Sequence, residues 1–238
     1  MNIYGIKRVD LEDYFLNKNE KKFKALQIYE WLYDKKVKSF YEMTNIKKDL
    51  QEQLSKDFSF DFIKIVKKQE DNLTKKYLFQ LTDDNYIEAV LMEHDYGLSV
   101  CVSSQVGCNM GCKFCESGRL KKVRNLETHE MVQQIILIEE DIGKKIQSVV
   151  IMGIGEPFDN YDNVINLVDI FNDLDFDSYL VVSPYYVKSN NSGLVKYFTR
   201  IADRCKHPIV IYNVPKRTGM NLAVDVVKTL SYHPNIIG

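Results

Sequence analysis

The first part of the chain has apolar side chains that return every three or four positions, which is the period of an amphipathic helix. This pattern runs through Lys22–Tyr33 and predicts a helix there. A second helix is predicted at Asp49–Phe58, with Thr44 and Asn45 before it as a start signal. Residues 1–60 are therefore expected to form a small helical accessory domain.

Apolar and polar residues alternate from about Phe62 onward, as they do in half-buried strands. The predicted strands are Phe62–Val66, Lys76–Leu81, Tyr86–Leu91 and Ser99–Ser103. The sequence Asp83-Asp84-Asn85 is a strong turn signal between two of them.

Beyond Ser103 the predicted strands alternate with predicted helices. The strands are Ser148–Met152, Tyr179–Ser183 and Ile209–Tyr212, and the helices are Thr128–Asp141, Asp162–Asn172, Leu194–Arg204 and Ala223–Leu230. This alternation is typical of an α/β fold with a parallel sheet, either open or closed into part of a barrel.

The composition changes this picture little. Hydrophobic side chains make up 45% of the 238 residues, which is enough for a buried core. The 32 basic and 33 acidic side chains nearly cancel, so overall charge argues neither for nor against a nucleic-acid partner. No apolar run has the length of a membrane span and no signal-peptide pattern is present, which predicts a cytoplasmic protein without a membrane partner.

Four of the five cysteines fall between Cys101 and Cys115, and Cys205 stands alone. Such clustering indicates metal or redox chemistry rather than a disulfide framework. The loop Cys108-Asn-Met-Gly-Cys112-Lys-Phe-Cys115 follows a predicted strand. Its three thiolates suit three irons of a four-iron, four-sulfur (4Fe-4S) cluster and leave the fourth iron open for a ligand.

The alternative for this loop is a zinc site. Structural zinc takes four protein ligands, so a histidine would have to complete the set. His94 and His129 are the nearest candidates, and neither has the paired spacing that is usual for zinc.

Gly153-Ile-Gly155-Glu156-Pro157 directly follows the predicted strand Ser148–Met152. Glycines let a backbone approach a ligand closely, and the carboxylate can accept hydrogen bonds from an ammonium group. The alternative is a plain strand-to-helix turn, which also favours glycine and proline.

A three-cysteine loop with Phe114 before its last cysteine resembles the radical S-adenosylmethionine superfamily. A narrower resemblance, to the RlmN/Cfr family of radical RNA methyltransferases, is carried by Glu88-Ala-Val-Leu-Met, Cys101-Val-Ser-Ser-Gln-Val-Gly-Cys108, Arg124-Asn-Leu-Glu and Met152-Gly-Ile-Gly-Glu-Pro-Phe-Asp-Asn. It covers about residues 1–172. The resemblance implies a 4Fe-4S cluster, S-adenosyl-L-methionine, 23S rRNA and tRNA as substrates, and an electron donor such as flavodoxin or ferredoxin.

The resemblance also implies residue roles. It implies that Glu88 is a proton acceptor and that Cys101 is the partner of a methyl-carrying cysteine. Without the resemblance, the prediction for Glu88 is a solvent-side strand carboxylate and for Cys101 a small core residue. The cluster ligands would be Cys108, Cys112 and Cys115, and the cofactor contacts Gly155 and Glu156. In that family a carbon radical reaches the adenine C2 atom, which is not nucleophilic, and a base then removes its proton.

Two basic stretches are candidates for contact with RNA phosphates, or else are solvated faces. One is the loop with Lys113, Arg119, Lys121, Lys122 and Arg124, opposed in sequence only by Glu116. The other lies in the helical part and contains Lys35, Lys36, Lys38, Lys47 and Lys48.

Beyond Asn172 the chain resembles a different family, the dihydrodipicolinate synthases, which are Schiff-base aldolases of the TIM-barrel type. The segments are Phe176–Tyr186, Ile211–Gly219 and Pro234–Gly238. Tyr186, Tyr212 and Arg217 match that family's relay tyrosines and carboxylate-binding arginine, and its Schiff-base lysine would fall just past Gly238.

We therefore expect a chimera with three parts: an accessory domain at 1–60, a partial (βα) barrel of the radical S-adenosylmethionine type at 61–172, and aldolase-like βα units at 173–238. Its expected function is methylation of adenine C2 in 23S rRNA and tRNA, impaired because the C-terminal methyl-carrying cysteine is missing. The alternatives are a non-catalytic chimera that binds the cluster and cofactor, and a Schiff-base aldolase fragment.

Overall fold

The computed structural model describes residues 1–113, 115–174, 177–184 and 188–238, with the side chain of Arg217 left out. The chain divides into two compact units, Met1–Ile170 and Phe171–Gly238. None of the helices in the described residues combines the length and the apolar character that a membrane span requires.

The first unit begins with three helices: α1 (Arg8–Asn17), α2 (Phe23–Tyr29) and α3 (Lys48–Asp57). The sequence pattern missed α1, which buries only Leu11 and Phe15. The predicted helix Lys22–Tyr33 is α2 followed by a π-helical turn, Glu30–Asp34. The Tyr4 hydroxyl supports this turn from the core by donating to the carbonyl oxygens of Leu32 (3.1 Å) and Val37 (2.8 Å).

A five-stranded sheet follows, and its strand order is β1-β2-β3-β4-β7. These strands are β1 (Lys64–Asp71), β2 (Thr74–Gln80), β3 (Tyr86–His94), β4 (Gly97–Cys101) and β7 (Ser148–Val150). The first four pair antiparallel because short turns join them, and only β4 and β7 pair in parallel. The parallel pairing expected from the alternation of strands and helices beyond Ser103 is found where β7 joins the sheet.

The two faces of this sheet differ in character. Tyr77, Phe79, Ile87 and Leu91 are buried on one face. That face lies against α4 (Thr128–Ile142), where Asp141 accepts a 2.8 Å hydrogen bond from the Tyr77 hydroxyl. Because side chains alternate along a strand, Glu88 and Val90 lie on the opposite face.

The remaining elements of this unit carry the loops. β5 (Gln105–Val106) and β6 (Arg124–Asn125) form a small antiparallel sheet. After β7, a 3-10 turn at Pro157–Asn160 leads into α5 (Tyr161–Phe171).

The second unit is built on β8 (Tyr179–Val182) and β9 (Ile209–Tyr212), which pair in parallel in a sheet of their own. Its helices are α6 (Asn191–Arg204), α7 (Pro215–Thr218) and α8 (Val224–Leu230). Leu194 and Phe198 of α6 and Val226 and Leu230 of α8 form its core with Ile209. The α/β class predicted from sequence is confirmed in both units.

Candidate cluster and cofactor site

The cysteine loop leaves the sheet after β4 and is closed at its base by backbone contacts. The Cys108 N–H donates to the Leu120 carbonyl oxygen at 2.9 Å. Gly107 has φ +72°, and a Cβ there would lie 2.1 Å from the Lys121 carbonyl oxygen, so only glycine fits. Within the loop the Cys115 N–H donates to the Cys112 carbonyl oxygen at 3.0 Å.

The donor chemistry of this loop fits an iron–sulfur cluster. Cys108 is nearly buried, whereas Cys112 and Cys115 are partly exposed, and none of the five cysteines, all described, forms a disulfide. In the described part of the chain no three His, Cys, Asp or Glu side chains converge as they would around one metal ion. Cluster ligands surround a group larger than a single ion, because each cysteine binds its own iron.

The glycine-rich turn after β7 lies against the segment that follows β4. Gly153 N–H donates to the Val102 carbonyl oxygen at 2.9 Å. Gly155 has φ +112°, and a Cβ there would lie 2.6 Å from the Cβ of Gln105. Only glycine allows this approach, so the turn is held at contact distance from the residues that precede the cysteine loop.

Glu156 is 2% exposed and is fixed at both its backbone and its side chain. Its N–H donates to Gln105 Oε1 at 2.9 Å, and its Oε1 accepts from the Phe158 N–H at 3.1 Å. The carboxylate therefore caps the 3-10 turn with one oxygen. This is the turn role that sequence alone offered as the alternative, and it fixes the direction of the carboxylate.

Glu88 and Cys101 lie on the same face of the sheet. Val90 is directly opposite Cys101 in the β3–β4 register, so Glu88, two residues before Val90, is a diagonal neighbour of Cys101 at roughly 7–8 Å. Glu88 Oε1 is 2.7 Å from Lys76 Nζ, and its side chain is 39% exposed. Burial raises the pKa of the Cys101 thiol, so it is held in the neutral form.

Sequence reasoning gave no role to a set of fully buried polar side chains between the two loops. They are Ser103, Gln105 and Gln134, all 0–2% exposed, with Asn160. Asn160 Nδ2 donates to the carbonyl oxygens of Ser104 and Leu126, both at 2.8 Å. The available signal was the run Ser103-Ser104-Gln105 directly after an apolar strand.

The basic loop is more neutralised than the sequence suggested. Arg124 binds Glu130 at 2.7 and 2.8 Å and Asp83 at 2.6 Å. Lys122 Nζ lies 2.8 Å from Asp159. Glu116 is the one acidic residue within this stretch of sequence, but folding brings carboxylates from outside the stretch to Arg124 and Lys122.

The lysines of the helical part are also partly engaged. Lys38 Nζ lies 2.8 Å from Glu140, and Lys36 pairs with Glu139. Lys35 Nζ lies 3.5 Å from the centre of the Trp31 ring. Lys47 and Lys48 are exposed.

Some expectations fall outside the described residues. Phe114 and Tyr186 lie there, as does the side chain of Arg217. Tyr212, at the end of β9, is described and is 45% exposed.

In the first unit, a three-cysteine loop and a glycine-rich turn follow adjacent parallel strands, the arrangement of a radical S-adenosylmethionine fold. The solved structure of a radical SAM methyltransferase from Sphaerobacter thermophilus matches 93% of this chain and 67% of its own, with a TM-score of 0.71 and 28% identity. Residues 1–59 match the family described as "Ribosomal RNA large subunit methyltransferase N-terminal domain", and residues 115–238 match the "Dihydrodipicolinate synthetase family".

The curated relatives agree with the match of residues 1–59 to an RNA methyltransferase family. The "Probable dual-specificity RNA methyltransferase RlmN" of Enterococcus faecalis is 48% identical over 209 residues, which covers 85% of this chain and 57% of the relative. The protein of the same description from Streptococcus thermophilus is 46% identical over 209 residues, and this chain covers 53% of its length. The chain spans about half the length of the curated relatives it matches. Its similarity to the RlmN-type methyltransferases extends over 85% of the chain, and through residues 115–238 it belongs to the dihydrodipicolinate synthetase family.

Proposed function

We propose that this chain binds a 4Fe-4S cluster through Cys108, Cys112 and Cys115, and S-adenosyl-L-methionine at Gly155 and Glu156. One observation carries the proposal. The cysteine loop and the glycine-rich turn follow β4 and β7, which pair in parallel, so the two loops leave the same edge of the sheet. Ligands in α/β folds bind at this edge, beyond the carboxyl ends of the strands.

Each residue has a stated task in this site. The three thiolates hold the cluster, Gly155 lets the backbone approach the cofactor, and the fixed Glu156 carboxylate accepts from its ammonium group. When bound, the cluster and cofactor together supply a radical that abstracts a hydrogen atom. Glu88 takes up the proton that leaves the base, from the same sheet face as Cys101.

We further propose that the substrate of this chemistry is the C2 position of adenine in 23S rRNA and tRNA, with a flavodoxin or ferredoxin as electron donor. The support is the description of the relatives as dual-specificity RNA methyltransferases. Exposed Lys113 and Lys121 at the cysteine loop suit RNA phosphates better than Lys122 and Arg124, which are ion-paired.

Methyl transfer by this 238-residue chain is proposed to be impaired. Past Cys115 its one further cysteine is Cys205, which lies in the aldolase-like unit. The second candidate function is accordingly a non-catalytic chimera that binds the cluster and cofactor and leaves RNA unmodified.

Mass spectrometry tests both candidates after anaerobic reconstitution with iron, sulfide and a reductant. We expect 5′-deoxyadenosine to form from S-adenosyl-L-methionine, and adenosines from added rRNA and tRNA to remain unmethylated. The full-length Enterococcus faecalis relative, treated alike, is the comparison. Methylated adenosine made by this chain would contradict the impairment, and a purified protein that holds zinc and forms no deoxyadenosine would contradict the proposed site.

The division into an accessory domain (1–60), a radical core (61–172) and an aldolase-like segment (173–238) is part of the same proposal. It is supported by the separate core of the second unit. Limited proteolysis tests this division. Immediate degradation of the segment after Asn172 would argue against a folded third part.

A further inference from the structure

We propose that Gln105 is a positioning residue that fixes Glu156 for the cofactor and joins the glycine-rich turn to the cysteine loop. This inference rests on the proposed function, because it concerns how that site is held. No part of it depends on the identity of the RNA substrate.

The Gln105 side chain is fully buried and its amide makes three hydrogen bonds. Its Oε1 accepts from the Glu156 N–H at 2.9 Å. Its Nε2 donates to Asn125 Oδ1 at 2.8 Å and to Asp159 Oδ2 at 3.1 Å. With both amide hydrogens engaged, the amide has one orientation, and that orientation presents its oxygen to Glu156.

The backbone of Gln105 reinforces the same contact. Its N–H donates to the Ile154 carbonyl oxygen at 3.1 Å, and the Ser104 N–H donates to the same oxygen at 2.9 Å. The Cβ of Gln105 also crowds the position where a side chain of Gly155 would begin. Ile154, Gly155 and Glu156 are thus each placed by contact with this one segment.

A second connection runs from Gln105 to the cysteine loop. Asp159, which accepts from Gln105, also lies 2.8 Å from Lys122 Nζ. Lys122 donates its own N–H to Asn109 Oδ1 at 3.1 Å, beside Cys108. The Lys122 ammonium, followed by the Gln105 amide, lowers the pKa of Asp159, which keeps this link charged.

The link has a chemical consequence for cofactor affinity. The cluster and Glu156 would hold the same small molecule, so the spacing between their loops must be fixed before the molecule arrives. Residues that orient metal ligands are typically worth about 10–100-fold in metal affinity or activity, and we expect a similar size for a residue that orients Glu156. Loss of the Gln105 amide should therefore weaken cofactor binding while leaving the cluster thiols in place.

Gln105→Met tests this, because methionine has a similar length and no strong hydrogen-bonding group. The matched control is Gln133→Met. Gln133 is also fully buried; its amide donates to the Asp61 carbonyl oxygen (2.8 Å) and accepts from the Ile63 N–H (3.0 Å), and neither bond involves the two loops. Iron content, melting temperature and the Kd of S-adenosyl-L-methionine are measured for each reconstituted full chain.

We expect both variants to melt at lower temperature and to keep their iron, and only Gln105→Met to raise the Kd, by about tenfold or more. Equal Kd values for the two variants would overturn the inference, because a structural role alone predicts that result. If Gln105→Met fails to fold, Asp159→Asn takes its place and should raise the Kd several-fold, and an unchanged Kd would overturn the inference. An unmodified chain that binds cluster but no cofactor would contradict the proposed function instead.

Discussion

The Ser103 hydroxyl donates a 2.6 Å hydrogen bond to the carbonyl oxygen of Glu88. The same oxygen atom of Ser103 accepts from the Ile154 N–H at 2.9 Å. One buried hydroxyl therefore joins the strand that carries the candidate proton acceptor to the turn that carries the candidate cofactor contacts.

Replacement of this hydroxyl, in Ser103→Ala, should lower the free energy of unfolding by about 1–3 kcal/mol, because a buried N–H and a buried carbonyl each lose a partner. Urea denaturation measures the change. Ser55→Ala is the control, since Ser55 is exposed and its hydroxyl bonds to the Glu52 carbonyl oxygen (2.8 Å) and to the exposed Tyr41 hydroxyl (3.4 Å). Equal stabilities of the two variants would show that the Ser103 hydroxyl is not needed.

Cys112→Ala should abolish the brown absorption and the iron content of the reconstituted protein, because a cluster with two cysteine ligands is poorly held. Cys205→Ala changes a cysteine that lies far from the loop in sequence. It should leave the absorption and the iron content at the level of the unmodified chain. Retained iron in Cys112→Ala would remove this residue from the ligand set.

Arg124→Met should destabilise the protein by about 3 kcal/mol, because it leaves the Glu130 carboxylate, 4% exposed, buried without its cation. Lys121→Met, on the exposed part of the same loop, should change stability by less than about 0.5 kcal/mol. It should instead reduce the salt dependence of RNA binding, with a slope smaller by about one. Urea denaturation and salt titrations of RNA affinity distinguish the two effects, and an Arg124→Met protein of normal stability would contradict the structural role.

Acid should weaken the fold partly through Asp83. The hydrogen bond from Arg124 holds the pKa of this carboxyl well below its usual range, against a smaller opposing effect of burial. A group with a lowered folded pKa contributes stability above its unfolded pKa, about 3.9, and loses that contribution as the pH falls further. The drop in urea midpoint between pH 7 and pH 3 should thus be smaller in Asp83→Asn than in the unmodified protein. Equal drops in urea midpoint in the two proteins would show that Asp83 does not contribute to the loss of stability in acid.

Borohydride reduction in the presence of pyruvate should leave the mass of the chain unchanged. The position at which the resemblance expects the imine-forming lysine is not among these 238 residues, and a nucleophilic amine is required for that step. A complete dihydrodipicolinate synthase serves as the positive control. A mass increase that matches reduced pyruvate would revive the aldolase alternative.

Local patterns predicted most elements of this fold, and for a physical reason. Alternation and turn chemistry are properties of neighbouring residues, so β9 and the Asp83–Asn85 turn were found from sequence, with Asp84 at φ +63°. The cysteine spacing is local in the same way. By contrast, the ion pair between Arg124 and Asp83 joins residues 41 positions apart, and Gln105 meets Glu156 across 51. Such partners come together only through the tertiary fold. The alternation of residues within a single strand carries no information about which other segments will lie beside it.

All seven residues assigned to the candidate site precede the boundary at Ile170. Strands β3 and β4, which carry Glu88 and Cys101, and β7, which precedes the glycine-rich turn, are neighbours in one sheet of the first unit. Exchange of the sequence after α5 for an unrelated one would therefore leave all seven residues of the candidate site in the chain.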